Sequence, residues 1–281
     1  MAEKVLLFGH TGKMGTALSS AFGAAFDVVG VNSSGIDVRD GAAVRSLVGE
    51  TKPDVIINAV ARLGIDHCEQ HATEAFEVNA LFPAVLAQCA RDRGAVLVHL
   101  SSETVFSGVK GGFLTEDDTP DPVNAYGMSK YMSELVVRDL LADHYIFRLP
   151  VLFGQCRKRV HFVERMVDRV RDGDKHLRMA DDIVTSPTYS RDAAETIFKA
   201  VSAGAPFGLY HVCNSGKASL YDLMTETVRL LGLDAVVEPA SHEDFPSQGR
   251  KNTVTPLRQT KLPELRTWKA ALADYCGSMD K

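Results

Sequence analysis

Val5-Leu6-Leu7-Phe8-Gly9-His10-Thr11-Gly12-Lys13-Met14-Gly15 sets the architecture of this chain. Four consecutive apolar residues halted by a glycine read as a β-strand buried on both faces, as in a parallel sheet covered by helices. Beyond the glycines, Met14, Ala17, Leu18, Ala21 and Phe22 recur at helical spacing. Strand, glycine-rich turn and helix in succession make a cradle for a pyrophosphate. The glycines allow a tight turn and close backbone approach, and the helix N-terminus offers unpaired N–H groups and the positive end of its dipole. The spacing is Gly9-x-x-Gly12-x-x-Gly15, and its place between strand and helix marks it as a dinucleotide loop. Cofactor contacts are expected from Gly9, Thr11, Gly12, Lys13, Met14 and Gly15.

Outward from this loop the alternation continues. A strand at 28–31, a short helix with Val44, Leu47 and Val48, and a strand at 55–59 come next. A longer helix carries Ala75, Phe76, Val78, Phe82, Val85, Leu86 and Cys89 on one face, and a strand follows at 96–100. Asn124 can cap a helix running through Leu135, Val136 and Leu140, before a strand at 145–148. Strands alternating with helices imply right-handed crossovers and an α/β fold, a doubly wound, Rossmann-like parallel sheet. After about residue 150 the rhythm loosens. A charged helical stretch at 157–174 contains Arg157, Lys158, Arg159, Arg165, Arg169 and Arg171. Helical patterns recur at 192–201, 220–231 and 263–275, with a strand-like run at 209–213. Pro/Ser/Thr-rich chain fills 185–188 and 238–255. The expected organisation is an NAD(P)-binding domain at 1–150 with a returning segment near 185–205, and a smaller, mainly substrate-binding part at 151–281.

Composition narrows the function classes. With 281 residues, 45% hydrophobic, the chain can bury a full core without staples. A net charge of −5 gives no electrostatic footprint for nucleic acid or an anionic membrane. No apolar run approaches the ~20 residues of a membrane-spanning helix, and Gly9 interrupts the first one too early for a signal peptide. The cysteines at 68, 89, 156, 213 and 276 are scattered, with no Cys-x-x-Cys pair, and read as reduced thiols. A cytoplasmic globule is expected.

Two further clusters point to redox chemistry. The second strand ends in Val31-Asn32-Ser33-Ser34, where an acidic residue would hold the ribose 2′-hydroxyl of NAD. Three small polar side chains suit a 2′-phosphate instead, so NADPH is favoured, with NADH as the alternative. Asp37 and Val38 are placed to meet the adenine. Downstream, Tyr126-Gly127-Met128-Ser129-Lys130 puts a phenol and an ammonium at i and i+4 on one helix face. A neighbouring cation favours phenolate, so Lys130 is expected to lower the pKa of Tyr126 and make it an acid for a ketone oxygen. Ser101-Ser102 follows a strand, and strand carboxyl ends are where ligands sit in open α/β sheets.

These pieces together resemble the extended short-chain dehydrogenase/reductase superfamily, and within it the dTDP-4-dehydrorhamnose reductase family. The likeness is carried by the glycine loop, Pro53-Asp54-Val55-Ile56-Ile57-Asn58-Ala59, Ser101-Ser102-Glu103-Thr104-Val105-Phe106-Ser107-Gly108, the run from Pro122 to Lys130, Ile146-Phe147-Arg148 and Gly208-Leu209-Tyr210-His211. The resemblance implies Tyr126 as proton donor, Lys130 on the nicotinamide ribose, and Ser102 polarising the carbonyl. It implies Ala59, Val60, Ala61 and Asn79 beside the cofactor, and hydride delivery from NADPH to C4 of a nucleotide-linked 4-keto-6-deoxysugar. Arg62, Ser102, Glu103, Thr104, Val151 and Arg250 are the expected substrate contacts. Three departures stand out. The family's aspartate and tyrosine after the active-site Ser/Thr are here Glu103 and Thr104. Its Thr-Ser-Trp after the next strand's arginine is Leu149-Pro150-Val151, and its Arg-Pro is Arg250-Lys251.

Other features weigh less. His67-Cys68-Glu69-Gln70-His71 has histidines at i and i+4 without the His-Glu-x-x-His order or a third ligand, so a solvated helix start is expected and no metal. Arg157 to Arg171 either grips a substrate diphosphate or forms a solvated face, and Trp268 belongs to a core. The alternatives are an NAD-retaining epimerase or dehydratase, and a non-catalytic subunit like the methionine adenosyltransferase β subunit. A homodimer is left open.

Overall fold

The computed structural model describes residues 3–156 and 161–279, so Arg157, Lys158 and Arg159 lie outside the described residues. The first half of the chain runs β1 (Lys4–Phe8), α1 (Lys13–Phe22), β2 (Asp27–Val31), α2 (Gly41–Thr51), β3 (Val55–Asn58), α3 (Ile65–Gln70), α4 (Ala72–Phe76), a π-turn (Glu77–Leu81), α5 (Phe82–Arg93), β4 (Val96–Ser102), α6 (Ala125–Leu140) and β5 (His144–Leu149). The second half contains β6 (Leu152–Phe153), α7 (Phe162–Arg171), β7 (His176–Ala180), β8 (Val184–Thr185), β9 (Thr188–Tyr189), α8 (Ser190–Ser202), β10 (Gly208–His211), β11 (Ala218–Ser219), α9 (Leu220–Leu230), β12 (Val236–Ala240) and α10 (Trp268–Met279).

The main sheet has the order β10-β5-β4-β3-β1-β2, parallel throughout. The continuous apolar run of β1 has the meaning its pattern suggests, because alternate residues feed different cores. Val5 and Leu7 pack with α1 and α8 residues such as Leu18, Phe22 and Ile197, while Leu6 and Phe8 pack with Val44, Phe82, Leu86 and Val137 from α2, α5 and α6. Helices therefore cover both faces, and the fold is the doubly wound α/β sheet expected. A third core, built by Phe153, Val163, Val167, Leu177, Leu223, Met224, Trp268 and Leu272, unites α7, α9, α10 and β7 in the C-terminal half.

The chain crosses back before that half is complete: α8 lies against α1, and β10 pairs with β5 as an edge strand ending at His211. Several boundaries differ from the sequence periodicity; the strand expected at 209–213, for one, is Gly208–His211. β4 runs on to Ser102, so Ser101 and Ser102 are its last residues rather than its sequel. The helix expected from 263 begins at Trp268, because Ser215 bonds Arg266 and Trp268 through the backbone and holds Thr267 extended. Among the described residues no helix is long and apolar enough to cross a membrane.

Candidate active site

Strand order reverses between β1 and β3, and the crevice outside the strands' carboxyl ends at such a switch point is where open α/β sheets bind ligands. Here the glycine loop comes against Ala59 and Val60. Gly9 has φ +84°, and a Cβ on it would stand 2.9 Å from the Ala59 carbonyl oxygen. A Cβ on Gly15 would come within 2.0 Å of the Gly9 carbonyl oxygen, so helix and loop close only because it is absent. Gly12 caps α1 without any side-chain bond to the first turn, which leaves the helix N–H groups to whatever enters the crevice. This bare cradle fits a pyrophosphate.

The flanking residues divide by what they already touch. Met14 is buried in the core beneath the loop, and the Thr11 carbonyl accepts from the Cys156 thiol at 3.6 Å. Lys13 is buried, and its ammonium donates to Glu164 at 3.1 and 3.2 Å and to the Leu152 carbonyl at 3.1 Å. Burial lowers its pKa, with the Glu164 charge pulling the other way. At the end of β2, Asn32 Oδ1 accepts from the Ser34 backbone and hydroxyl, with Ser33 between them. The nearby Asp37 is held by Arg39 at 2.7 Å, which drops its carboxyl pKa to about 2. Val38 packs against the core behind it. No unpaired carboxylate among these residues opposes a 2′-phosphate.

Ser102, Tyr126 and Lys130 meet at the carboxyl end of β4. Asn124 caps α6 through the Gly127 N–H at 2.8 Å, and Glu69 accepts from the Ala125 N–H at 2.8 Å, so the turn carrying Tyr126 is fixed from two sides. The Tyr126 phenol stands beside Ser102, near enough for the serine hydroxyl to act on its pKa. Lys130 is buried one turn on and donates to the Leu100 carbonyl at 2.7 Å. Here the electrostatics depart from expectation. Burial pushes the phenol pKa up to about 12, outweighing the neighbouring Ser102 hydroxyl, which lowers it. Burial also lowers Lys130 to about 8, against the pull of Glu134. Lys130 does not depress Tyr126 in this state, because its ammonium is committed to β4.

Behind this trio lies a set of buried polar side chains. The Asn58 amide reaches His99 Nδ1 at 3.2 Å, and His99 Nε2 reaches the Ser133 hydroxyl at 2.8 Å. Ser133 donates to the Lys130 carbonyl, so His99 donates from Nε2 and accepts at Nδ1. Burial keeps this imidazole neutral, well below its ordinary pKa. Asn58 Oδ1 also accepts from the Val60 N–H at 3.0 Å, which joins the crevice wall to the helix bearing the phenol. Asn79 makes a parallel link. Its Oδ1 accepts from the Arg62 N–H, and its amide donates to the Arg62 carbonyl and the Ser129 hydroxyl. Glu134, fully buried, accepts from Ser101 at 2.5 Å and from Arg148 at 2.9 and 2.7 Å.

The expected substrate residues gather near the same helix start. Thr104 donates to Ser102. Glu103 is buried, its carboxyl bonded by the Thr185 hydroxyl at 2.6 Å; desolvation raises its pKa to about 8. Its position beside Ser102 thus serves the C-terminal half rather than the crevice. The Arg250 carbonyl accepts from Asn124 at 2.9 Å, with its side chain exposed. Arg62 pairs with Glu74, which also meets His67; the His67 and His71 rings stack 4.5 Å apart.

A family model described as the RmlD substrate binding domain matches residues 3–280. The chain belongs to this family. It is similar to the dTDP-4-dehydrorhamnose reductase of Streptomyces griseus, 35% identical over 290 residues, covering 97% of this chain and 94% of that protein. It is also similar to the spore coat polysaccharide biosynthesis protein SpsK of Bacillus subtilis strain 168, 30% identical over 277 residues, with 97% and 96% covered. Among solved structures, that of dTDP-4-dehydrorhamnose reductase from Bacillus anthracis str. Ames in complex with NADP superposes with a TM-score of 0.94 at 25% identity, covering 100% of both chains.

For this member of the RmlD family, sequence reasoning did not anticipate His99, Ser133, Glu134 or Asn252. Asn252 accepts from the Asn124 amide at 2.8 Å and donates to the Thr104 and Phe106 carbonyls, tying chain 128 residues away to the start of α6. One signal existed. Ser133 and Glu134 lie three and four residues beyond Lys130, on the helix face that Lys130 itself buries.

Proposed function

We propose that this protein is an NADPH-dependent reductase of a nucleotide-linked 4-keto-6-deoxysugar, supplying a deoxysugar for polysaccharide assembly. The observation that carries the reading is the gathering of the Tyr126 phenol, Ser102 at the end of β4 and Lys130 one helical turn on, with Lys130 bonded to the Leu100 carbonyl of that strand. Bound NADPH supplies a hydride to C4. Gly9, Gly12 and Gly15 admit its pyrophosphate, Asn32, Ser33 and Ser34 receive the 2′-phosphate, and Ala59 to Ala61 line the crevice between them. Residues 1–150 with α8 and β10 form the cofactor half, and the rest forms most of the substrate half.

The chemistry of the side chains suits reduction. A phenol whose pKa stands near 12 is protonated at neutral pH, so Tyr126 has a proton to hand to O4 as the hydride reaches C4. The C4–O4 double bond becomes a hydroxyl, and Tyr126 recovers its proton from water. Ser102 donates a hydrogen bond to the same oxygen, where negative charge develops. Lys130, still cationic at pH 7 and bonded to the Leu100 carbonyl, would hold the nicotinamide ribose. The family names of the relatives in Streptomyces griseus and Bacillus anthracis support the sugar and cofactor classes. Arg250 and Val151 at the rim are the proposed sugar-nucleotide contacts.

The test is NADPH oxidation followed at 340 nm, a wavelength set by the cofactor, across nucleotide-linked 4-keto-6-deoxysugars. Tyr126→Phe is expected to lose roughly 10²–10⁴-fold in kcat while binding NADPH normally. Tight NADPH binding without turnover on any such sugar would favour the non-catalytic reading instead.

A further inference from the structure

A serine hydroxyl has one proton to give and two lone pairs to fill. Both lone pairs of Ser102 are served by the residue two places on. The Thr104 N–H donates to Ser102 Oγ at 3.2 Å, and the Thr104 hydroxyl donates to it at 2.9 Å. With both lone pairs taken, Ser102's own proton is the group it has left to donate. Thr104 cannot drift from this position. Its carbonyl oxygen lies against the first turn of α6, where a Cβ on Gly127 would stand only 2.3 Å away, and it accepts from the Asn252 amide at 3.3 Å. A short 3-10 turn, Glu103–Val105, fixes the backbone between them.

We propose that Thr104 is a positioning residue for the reduction: its hydroxyl donates to Ser102 and so aims the Ser102 proton at the substrate carbonyl oxygen. The inference rests on the reductase reading above. Two accepted bonds remove the rotational freedom that would let Ser102 point elsewhere, and they polarise its O–H, strengthening it as a donor. Because the threonine proton is spent on Ser102, it is not available to donate to the sugar. This adds a positioning role to the substrate contact expected of Thr104. A tyrosine at this position, as in the family pattern, carries its hydroxyl at the far side of a ring and cannot fold back onto a serine two residues earlier, so the device is particular to a threonine-bearing chain.

The experiment compares wild type with Thr104→Val, Thr104→Ser, Ser102→Ala and the double variant Ser102→Ala/Thr104→Val. A dTDP-linked 4-keto-6-deoxyhexose serves as substrate, and NADPH affinity is measured separately by calorimetry. Thr104→Val keeps the shape and removes the donor. It is expected to lower kcat about tenfold while KM for the sugar and Kd for NADPH stay within about twofold. Thr104→Ser restores kcat. In the Ser102→Ala background Thr104→Val has no further effect, since its only route to the reaction is gone. Unchanged kcat in Thr104→Val, a rise in KM alone, or an equal further loss in the Ser102→Ala background overturns the proposal. Wild type that oxidises no NADPH with this sugar overturns the reductase reading beneath it, an outcome visible before any variant is compared.

Discussion

Lys130 and Glu103 show how burial, more than neighbouring charge, decides protonation in this site. Lys130 is lowered to about 8, so it loses its charge as pH rises through that value. Because that cation is the proposed holder of the cofactor's ribose, kcat/KM for NADPH is expected to fall along an alkaline limb centred near pH 8. A profile flat to pH 10 would contradict this. Glu103 acts on stability with the opposite logic to an ion-paired carboxylate. Its pKa is raised from an ordinary value near 4.5 to about 8, so between those limits the folded state binds more protons than the unfolded state. Stability therefore declines as pH rises from about 4.5 to 8. Glu103→Gln cannot ionise, and its unfolding free energy by urea titration is expected to lack that slope between pH 5 and 8. An unchanged slope would place the titrating group elsewhere.

At the scale of elements, the loop from β1 to α1 separates two demands on glycine. Gly15 is required by packing, because a Cβ there collides with the Gly9 carbonyl at 2.0 Å. Gly12 has φ −73°, which any residue adopts, and its Cβ would meet only the same oxygen at 3.4 Å. Gly15→Ala should therefore lower the melting temperature and abolish NADPH binding. Gly12→Ala should melt like wild type, yet bind NADPH at least about tenfold more weakly, because a methyl would stand in the pyrophosphate's approach. Wild-type affinity in Gly12→Ala would mean the diphosphate does not approach there. The helix α6 shows the same economy: Asn124 caps the turn that bears Tyr126, and its free amide joins that turn to Asn252 and Arg250.

Across the whole molecule, the two halves are joined through buried polar side chains set into apolar surroundings. Lys13 at the start of α1 pairs with Glu164 on α7, and Glu164 also accepts from Tyr275 at 2.7 Å on α10. Breaking a buried pair leaves a stranded charge, so Lys13→Met is expected to cost about 3 kcal/mol in urea unfolding. Lys13→Met/Glu164→Met should lose less than that single change, since neither charge is then stranded. Equal losses in both would show that packing, not charge, holds α7 to α1. Glu103 with Thr185 makes a second such joint, next in sequence to Ser102.

The amino-acid sequence determined the parallel sheet, the glycine cradle and the trio Ser102, Tyr126 and Lys130. Each is written at short range: an apolar run and a turn, an i,i+4 pair on one helix, a serine at a strand end. Tertiary structure decided what those residues can do. The direction in which Tyr126 shifts, the commitment of Lys13 to Glu164, and the relay from Asn58 through His99 to Ser133 depend on groups 41 and 34 residues apart for His99 and 151 for Lys13. Local spacing cannot encode such pairings, and no periodicity reports how completely a side chain is withdrawn from water. Burial raised the phenol, lowered the ammonium and protonated Glu103, because a charge removed from water is expensive unless the fold supplies a partner.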